Sequence, residues 1–153
     1  MKSQEAWMER ALELAEKAQE QDEVPVGAVI VLNDQIIAEG WNTREGFHDP
    51  LGHAEVMAIQ EASKKMASWR LENCILICTL EPCIMCMGAL YQARISKLIY
   101  GAKDPKGGAL SLGYNVHEDV RLNHRFTVEY SPAASSETLL KNFFKTKRRE
   151  AKT

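Results

Sequence analysis

Two separate stretches of the chain carry residue types that bind a transition metal. His53-Ala54-Glu55 supplies an imidazole and a carboxylate, and Pro82-Cys83-Ile84-Met85-Cys86 supplies two thiols. Zn²⁺ accepts nitrogen and sulfur ligands in a tetrahedron, so these three side chains suit one zinc ion. Three protein ligands leave the fourth position to water, which is the arrangement of a catalytic rather than a structural zinc site. The carboxylate of Glu55 is then available to transfer protons.

The spacing of these residues favours two helix N-termini. Cys83 and Cys86 are three residues apart, so in a helix they lie on the same face. Pro82 suits the first turn of that helix, and the partial positive charge at a helix N-terminus stabilises thiolates. His53 and Glu55 would diverge in mid-helix, but at a helix start both can reach one site. We therefore predict His53, Cys83 and Cys86 as the ligands of one Zn²⁺ and Glu55 as the catalytic proton carrier.

A structural zinc site or a dithiol is the alternative interpretation of the Cys83-x-x-Cys86 pair. A closed structural site normally has four protein ligands, and the two other cysteines are poor candidates for the fourth. Cys74 and Cys78 lie in an unbroken apolar run typical of a buried strand, about 13 Å apart at ~3.3 Å per residue. We expect both to be buried as small hydrophobic side chains. Thiols used for metal binding rather than for disulfides suit a reducing compartment, so we predict a cytoplasmic protein.

The composition is that of an ordinary globular protein. The chain has 153 residues, of which 45% are hydrophobic and 26% are charged, enough for one domain with a core of its own. The N-terminus lacks the pattern of a signal peptide, and no apolar run approaches the ~18 residues of a membrane-spanning helix. We predict a single domain over residues 1–153 without a membrane segment.

Charge is distributed unevenly, although the formal net charge is only -2. Residues 141–153 hold six basic residues against one acidic residue, whereas the rest of the chain holds 13 basic against 20 acidic. A basic C-terminal helix over about residues 135–150, on an acidic body, is typical of a protein that binds phosphate groups. A solvated helix tail is the alternative interpretation. Ser135 or Ser136 is the predicted cap of this helix.

The apolar periodicity predicts the order α-β-β-α-β-α-β-β-α. The predicted helices span residues 4–21, 54–66, 83–93 and 135–149, and the predicted strands span residues 26–32, 35–40, 74–79, 97–101 and 126–130. In residues 109–123 the apolar residues follow neither the helical nor the strand periodicity. Strand–helix–strand units imply parallel strands, and the first two strands form a hairpin. We therefore predict an α/β protein whose mixed central sheet carries helices on both faces.

The pattern His-x-Glu with Pro-Cys-x-x-Cys is the signature of zinc-dependent nucleobase deaminases, and further motifs narrow the resemblance. They are Glu23-Val24-Pro25-Val26-Gly27-Ala28, Gly40-Trp41-Asn42, Asp104-Pro105-Lys106-Gly107-Gly108, Asn123-His124-Arg125 and Phe143-Phe144 with basic residues behind. Over nearly its whole length, the chain resembles the bacterial tRNA-specific adenosine deaminases. The resemblance implies a three-layer α/β/α cytidine-deaminase-like fold, a homodimer, and conversion of the wobble adenosine (A34) of a tRNA anticodon to inosine.

The resemblance also implies five residues around the flipped nucleoside and the anticodon stem-loop. Asn42 and the backbone of Ala54 are expected to contact the nucleoside. Asp104, Lys106 and Asn123 are expected to line the groove that holds the loop. Two alternatives stay open: Asn42 as a residue that satisfies turn backbone, and Lys106 as an exposed loop charge.

The C-terminal helix is expected to add two contacts to the RNA. Phe144 would stack on a neighbouring base, and Arg148 would bind a phosphate group or a base edge. Phe143 and Phe144 are adjacent, so one of them is expected in the core. The alternative is that Phe144 is the buried one and does not stack on RNA.

Two other functions stay open at the level of sequence. A deaminase of a free base, nucleoside or nucleotide would share the fold and the zinc site but would have no use for the basic tail. A zinc-stabilised RNA-binding module would use the tail but would release no ammonia.

Overall fold

The computed structural model describes residues 3–151 and contains the predicted order of helices and strands. The helices are α1 (Gln4–Glu20), α2 (Ala54–Met66), α3 (Ile84–Gln92) and α4 (Ala134–Ala151). The strands are β1 (Gly27–Leu32), β2 (Gln35–Trp41), β3 (Ile75–Cys78), β4 (Lys97–Tyr100) and β5 (Thr127–Tyr130). Residues 109–123 hold turns and one short 3₁₀ helix, Val116–Glu118. No helix in the described part of the chain has the length and apolar character needed to cross a bilayer.

The five strands form one mixed sheet in the order β2-β1-β3-β4-β5. β1 pairs antiparallel with both β2 and β3, whereas β3, β4 and β5 run parallel. β2 and β3 therefore point the same way, with β1 between them. The helices that follow these two strands, α2 and α3, begin beyond the same end of the sheet. Open α/β sheets bind their ligands at this end, outside the carboxyl ends of the strands.

Alternating strand residues separate two hydrophobic layers, because successive side chains of a strand point to opposite faces. The layer between α1 and the sheet consists of Trp7, Met8, Ala11, Leu14, Val29, Val31, Ile77 and Ile99. The layer between the sheet and helices α2 and α3 includes Ala28, Ile30, Leu76, Leu98, Ala54, Ala58, Ala62, Met87 and Leu90. The predicted three-layer α/β/α arrangement is thus confirmed.

A glycine lets α2 lie directly against β2. A Cβ atom on Gly40 would overlap the carbonyl oxygen of Ala54, the first residue of α2. Any larger residue would push the first turn of the helix away from the strand. Because His53 and Glu55 flank Ala54, this close approach fixes the position of both.

α4 begins one residue earlier than predicted, so the prediction of a serine cap is wrong. The Ser136 hydroxyl donates instead to the carbonyl oxygen of Thr79 (2.5 Å), just after β3. Phe143, further along the helix, is buried. The bond between Ser136 and Thr79 holds the start of α4 next to the segment that carries the cysteine motif. Lys152, the last basic residue of the predicted tail, lies outside the described residues.

Candidate active site

The two predicted zinc motifs lie at the first turns of α2 and α3. His53 is the N-cap of α2, and Cys83 is the N-cap of α3 with Cys86 in its first turn. Pro82 precedes α3 instead of occupying its first turn, because Cys83 keeps an extended backbone (φ -75°, ψ 175°). Neither cap side chain makes a capping hydrogen bond to the backbone of the helix that it begins. Both can therefore turn toward a shared ligand.

His53, Cys83 and Cys86 converge on one point. The Nδ1 atom of His53 lies 3.5 Å from each of the two Sγ atoms, and the three ligand atoms lie within 4.8 Å of one another. Tetrahedral zinc, with Zn–S bonds of ~2.3 Å and a Zn–N bond of ~2.0 Å, separates nitrogen and sulfur by about 3.5 Å. The three side chains therefore fit a zinc ion with one open coordination position. Within residues 3–151, no other group of His, Cys, Asp and Glu side chains converges in this way.

The remaining cysteines lie apart from this cluster. Cys74 and Cys78 are completely buried, as predicted for hydrophobic core positions. The Cys78 thiol donates to the Leu80 carbonyl oxygen (3.1 Å), and burial raises its pKa well above the ordinary value. Neither cysteine supplies a fourth ligand, so the geometry favours a catalytic over a structural zinc site.

The two cysteines of the cluster have opposite pKa shifts. Hydrogen bonds from the Cys86 thiol and from His53 lower the pKa of Cys83 to about 4. The hydrogen bond to Cys83, together with burial, raises the pKa of Cys86. One thiolate is thus present at neutral pH beside an imidazole, and the helix N-terminus stabilises its charge. Metal binding would release the proton that Cys86 retains.

Glu55 is the acidic residue beside this cluster. It lies in the first turn of α2, and only 4% of its surface is exposed. Burial raises the pKa of its carboxyl group above the ordinary value, because the charged form loses its hydration. A carboxyl group whose pKa is shifted toward neutrality is suited both to take up and to give up protons.

Glu55 faces a cavity of about 650 Å³ that is also lined by His53 and Cys83. The loop after β2, the loop after β4 and one face of α4 form its walls. These three segments contribute Asn42, Arg44, Lys103, Asp104, Lys106, Gly107, Leu140, Phe144 and Arg148. We call their exposed members the rim, namely Arg44, Lys103, Lys106, Phe144 and Arg148. Four of these five are cationic, which makes the rim attractive to phosphate groups.

The cavity brings together five of the seven residues expected to bind RNA: Asn42, Asp104, Lys106, Phe144 and Arg148. The Oδ1 atom of Asn42 accepts a hydrogen bond from the N–H of Ala54 (3.0 Å), so Asn42 bonds to the start of α2 rather than to turn backbone. Ala54 itself is completely buried. Phe143 is the buried member of the aromatic pair, 7% exposed, and Phe144 is 44% exposed. Phe144 therefore remains available for stacking.

Asn123 lies outside the lining of the cavity. Its Oδ1 atom accepts a hydrogen bond from the hydroxyl group of Tyr91 (2.5 Å), near the end of α3. Its contact with RNA stays a prediction.

Three charged residues of the lining were missed by sequence reasoning: Arg44, Lys103 and Glu81. Arg44 follows the Gly-Trp-Asn motif by two positions, and Lys103 adjoins Asp104, so a search for cations beside these motifs would have found both. Glu81 directly precedes the Pro82-Cys83 motif, but no pattern in the sequence indicates where its side chain points.

Comparisons with known proteins agree with this geometry. The family model described as MafB19-like deaminase matches residues 2–148. A tRNA-specific adenosine deaminase of Bacillus subtilis (strain 168) is 44% identical over 128 residues, which cover 84% of this chain and 80% of that protein. A tRNA-specific adenosine deaminase of Aquifex aeolicus (strain VF5) is 44% identical over 141 residues, which cover 92% of this chain and 93% of that protein.

One solved structure comes from studies of A-to-I editing by tRNA:A34 deaminases at the wobble position of transfer RNA. It matches this chain with a TM-score of 0.85 and 40% sequence identity, covering 90% of this chain and 100% of that chain. The chain therefore belongs to the deaminase family, among the tRNA-specific adenosine deaminases.

Proposed function

We propose that this protein hydrolyses the amino group of the wobble adenosine (A34) in a tRNA anticodon, giving inosine and ammonia. The observation that carries the proposal is the position of Glu55. Its buried carboxyl group lines a cavity with a cationic rim, together with His53 and Cys83, two of the three proposed zinc ligands. The names of the relatives support adenosine in tRNA as the substrate.

The residues of the site divide the chemistry between them. His53, Cys83 and Cys86 would hold a zinc ion, which when bound supplies an activated water molecule for attack on C6 of adenine. Glu55 would take a first proton from the attacking water and pass it to N1 of the base, and would then take a second proton from the new hydroxyl group on C6 and pass it to the amino group, which leaves as ammonia. One carboxyl group can serve in both directions because Glu55 lines the same cavity as His53 and Cys83, beside the proposed position of the water.

The rim supports a polynucleotide rather than a free nucleoside as the substrate. Arg44, Lys103, Lys106 and Arg148 bring four positive charges to the cavity, although the chain carries a formal net charge of -2. A free base has no phosphate for these groups, whereas a flipped base in RNA has a phosphate on either side. An anticodon loop presents unpaired bases, so little free energy is needed to extrude the target.

We also propose that the protein is a cytoplasmic homodimer. Exposed large apolar side chains outside the cavity lining include Phe47, Leu51, Ile84, Leu112, Tyr114 and Val120. Contiguous exposed apolar surface marks protein interfaces, so these side chains are the candidates for the contact between two subunits. All four cysteines are free thiols, as expected in a reducing compartment. Sedimentation equilibrium tests the assembly, and a mass of one chain at micromolar concentration would contradict it.

The test of the function is incubation of the zinc-loaded protein with unmodified tRNA anticodon stem-loops, scored for inosine by mass spectrometry. Stem-loops with cytidine at position 34 and the Glu55→Gln variant are the controls. We expect inosine at position 34 only, and only with intact Glu55. Ammonia from free bases or nucleosides, without inosine in RNA, would establish a small-molecule deaminase instead. RNA binding without any deamination would establish an RNA-binding module.

A further inference from the structure

We propose that Glu81 is a positioning residue, which holds the loop of residues 104–111 as a fixed wall of the cavity and thereby sets the affinity for the RNA. The proposal rests on the proposed function for its kinetic part alone. Glu81 takes no part in the proton transfers assigned to Glu55. It acts through the backbone of the loop that carries Asp104 and Lys106.

Three hydrogen bonds connect Glu81 to this loop. Its Oε1 atom accepts from the backbone N–H of Asp104 (3.1 Å) and from the hydroxyl group of Ser111 (2.6 Å). Its Oε2 atom accepts from the backbone N–H of Ser111 (2.8 Å). One carboxylate thus joins the two ends of an eight-residue loop.

Because Glu81 is buried, these hydrogen bonds are needed to satisfy its carboxylate oxygens. Only 2% of the residue is exposed, and within residues 3–151 no ion pair neutralises its charge. A buried carboxylate without a cationic partner is tolerated only when donors satisfy its oxygens. Here the loop supplies the donors, so departure of the loop would leave the charge unsatisfied. The loop is therefore locked in the conformation that lines the cavity.

The sequence of the loop fits this role. A Cβ atom on Gly108 would overlap the Glu81 carboxylate, so only glycine lets the loop close over it. The N–H of Gly108 donates to the Asp104 carbonyl oxygen (2.8 Å), which keeps the intervening turn compact. Lys106 and Gly107 lie in that turn and line the cavity. A wall that is ordered before the substrate arrives loses less conformational entropy on binding.

Glu23 offers a matched comparison on another loop. It is also 2% exposed, and its carboxylate accepts from the backbone N–H groups of Glu45 (3.0 Å) and Gly46 (2.7 Å). Glu23 and Glu81 thus have equal burial and the same kind of partner but hold different loops. Glutamine in either place keeps the size of the side chain while turning one acceptor into a donor. In Glu81→Gln, either orientation of the amide sets an NH₂ group against a backbone N–H.

The first experiment measures amide hydrogen exchange by NMR in the intact protein. Glu81→Gln should raise the exchange rates of the Asp104 and Ser111 amides by about tenfold, because a buried donor is left unsatisfied, and should leave the amides of Glu45 and Gly46 unchanged. Glu23→Gln should give the reverse pattern. Unchanged exchange at residues 104 and 111 in Glu81→Gln would overturn the proposal. This readout does not depend on any substrate, so it decides the role of Glu81 even if the wild type forms no inosine.

The second experiment measures steady-state kinetics on the A34 stem-loop together with zinc content. Glu81→Gln should raise KM by about tenfold, as expected for one unsatisfied donor, with kcat and zinc content unchanged. Gly108→Ala, which displaces the loop while keeping Glu81, should give the same pattern and carries the test if Glu81→Gln does not fold. A fall in kcat at constant KM, or loss of zinc, would assign Glu81 to the support of Cys83 and overturn the proposal.

Discussion

The proposed reaction centre and the rim of the cavity are built in different ways. The centre consists of side chains at the N-termini of two packed helices: His53, Glu55, Cys83 and Cys86. The rim consists of exposed side chains on two loops and on one face of α4. The core fixes the first set, whereas solvent surrounds the second. Changes in the centre should therefore lower kcat, and changes in the rim should raise KM.

Glu55→Gln should have the largest effect on turnover. The amide preserves the size of the buried side chain but cannot exchange the protons, so we expect kcat on the A34 stem-loop to fall by about 10²- to 10⁴-fold. Zinc content, measured by plasma mass spectrometry, should stay at the wild-type level because Glu55 lies outside the ligand set. Loss of zinc together with activity would place Glu55 among the ligands and would remove the distinction between ligand and proton carrier.

Gly40→Ala tests whether the packing of α2 positions the centre. The added methyl group would overlap the Ala54 carbonyl oxygen, so the first turn of α2 must move. We expect kcat to fall by about 10²-fold, the cost of a displacement of about 1 Å, and stability to urea to fall by about 1–3 kcal/mol.

Gly27→Ala is the matched control for Gly40→Ala. Its added methyl group would overlap the Ala11 carbonyl oxygen of α1, on the face of the sheet opposite α2. Gly27→Ala should therefore lower the free energy of unfolding about as much as Gly40→Ala does, but it should lower kcat less. Equal losses of kcat in the two variants would show that lost stability, rather than the position of α2, limits the activity.

The sequence predicts the centre better than the rim for a physical reason. Helix starts and the spacing of Cys83 and Cys86 are local properties, so the order of elements and the position of each motif follow from short windows. The meeting of the two motifs follows from the expectation that both helix starts lie at the same end of the sheet. The rim depends on the paths of loops and on the docking of α4, which long-range contacts such as that of Ser136 with Thr79 decide. Sequence reasoning accordingly missed Arg44, although it stands two positions from a recognised motif.

Asn123 is a second residue whose side-chain contacts could not be predicted from the sequence. A motif places it in the family, but the contact of its side chain with Tyr91 comes from the tertiary packing of two segments that are distant in the sequence. The one-residue shifts at the starts of α3 and α4 have a comparable origin. Cys83 keeps an extended backbone so that its thiol meets His53, and Ser136 bonds across to the strand end rather than to its own helix.

Phe144→Ala and Phe143→Ala compare an exposed rim residue with a buried core residue in the same helix, α4. Loss of the exposed ring should remove stacking on a flanking base, worth ~1–3 kcal/mol, and so raise KM for the stem-loop while the melting temperature stays the same. Phe143→Ala is the control, because the neighbouring ring is buried. It should lower the free energy of unfolding by about 3–5 kcal/mol. An unchanged KM in Phe144→Ala would take the ring out of the RNA contact.

Lys106→Ala should have the smallest effect on stem-loop binding. The salt dependence of the binding constant is the most sensitive measurement of this effect. Each phosphate contact in a single-stranded region contributes about 0.7 to the slope of log K against log salt concentration. Loss of Lys106 should reduce this slope by about that amount in stem-loop binding and should weaken binding to all loop sequences equally. Lys97→Ala removes the same charge at the opposite end of β4, where Lys97 pairs with Glu129 (3.0 Å). If both variants lower the slope equally, the attraction arises from the overall charge of the protein; if only Lys106→Ala does, it arises at the rim.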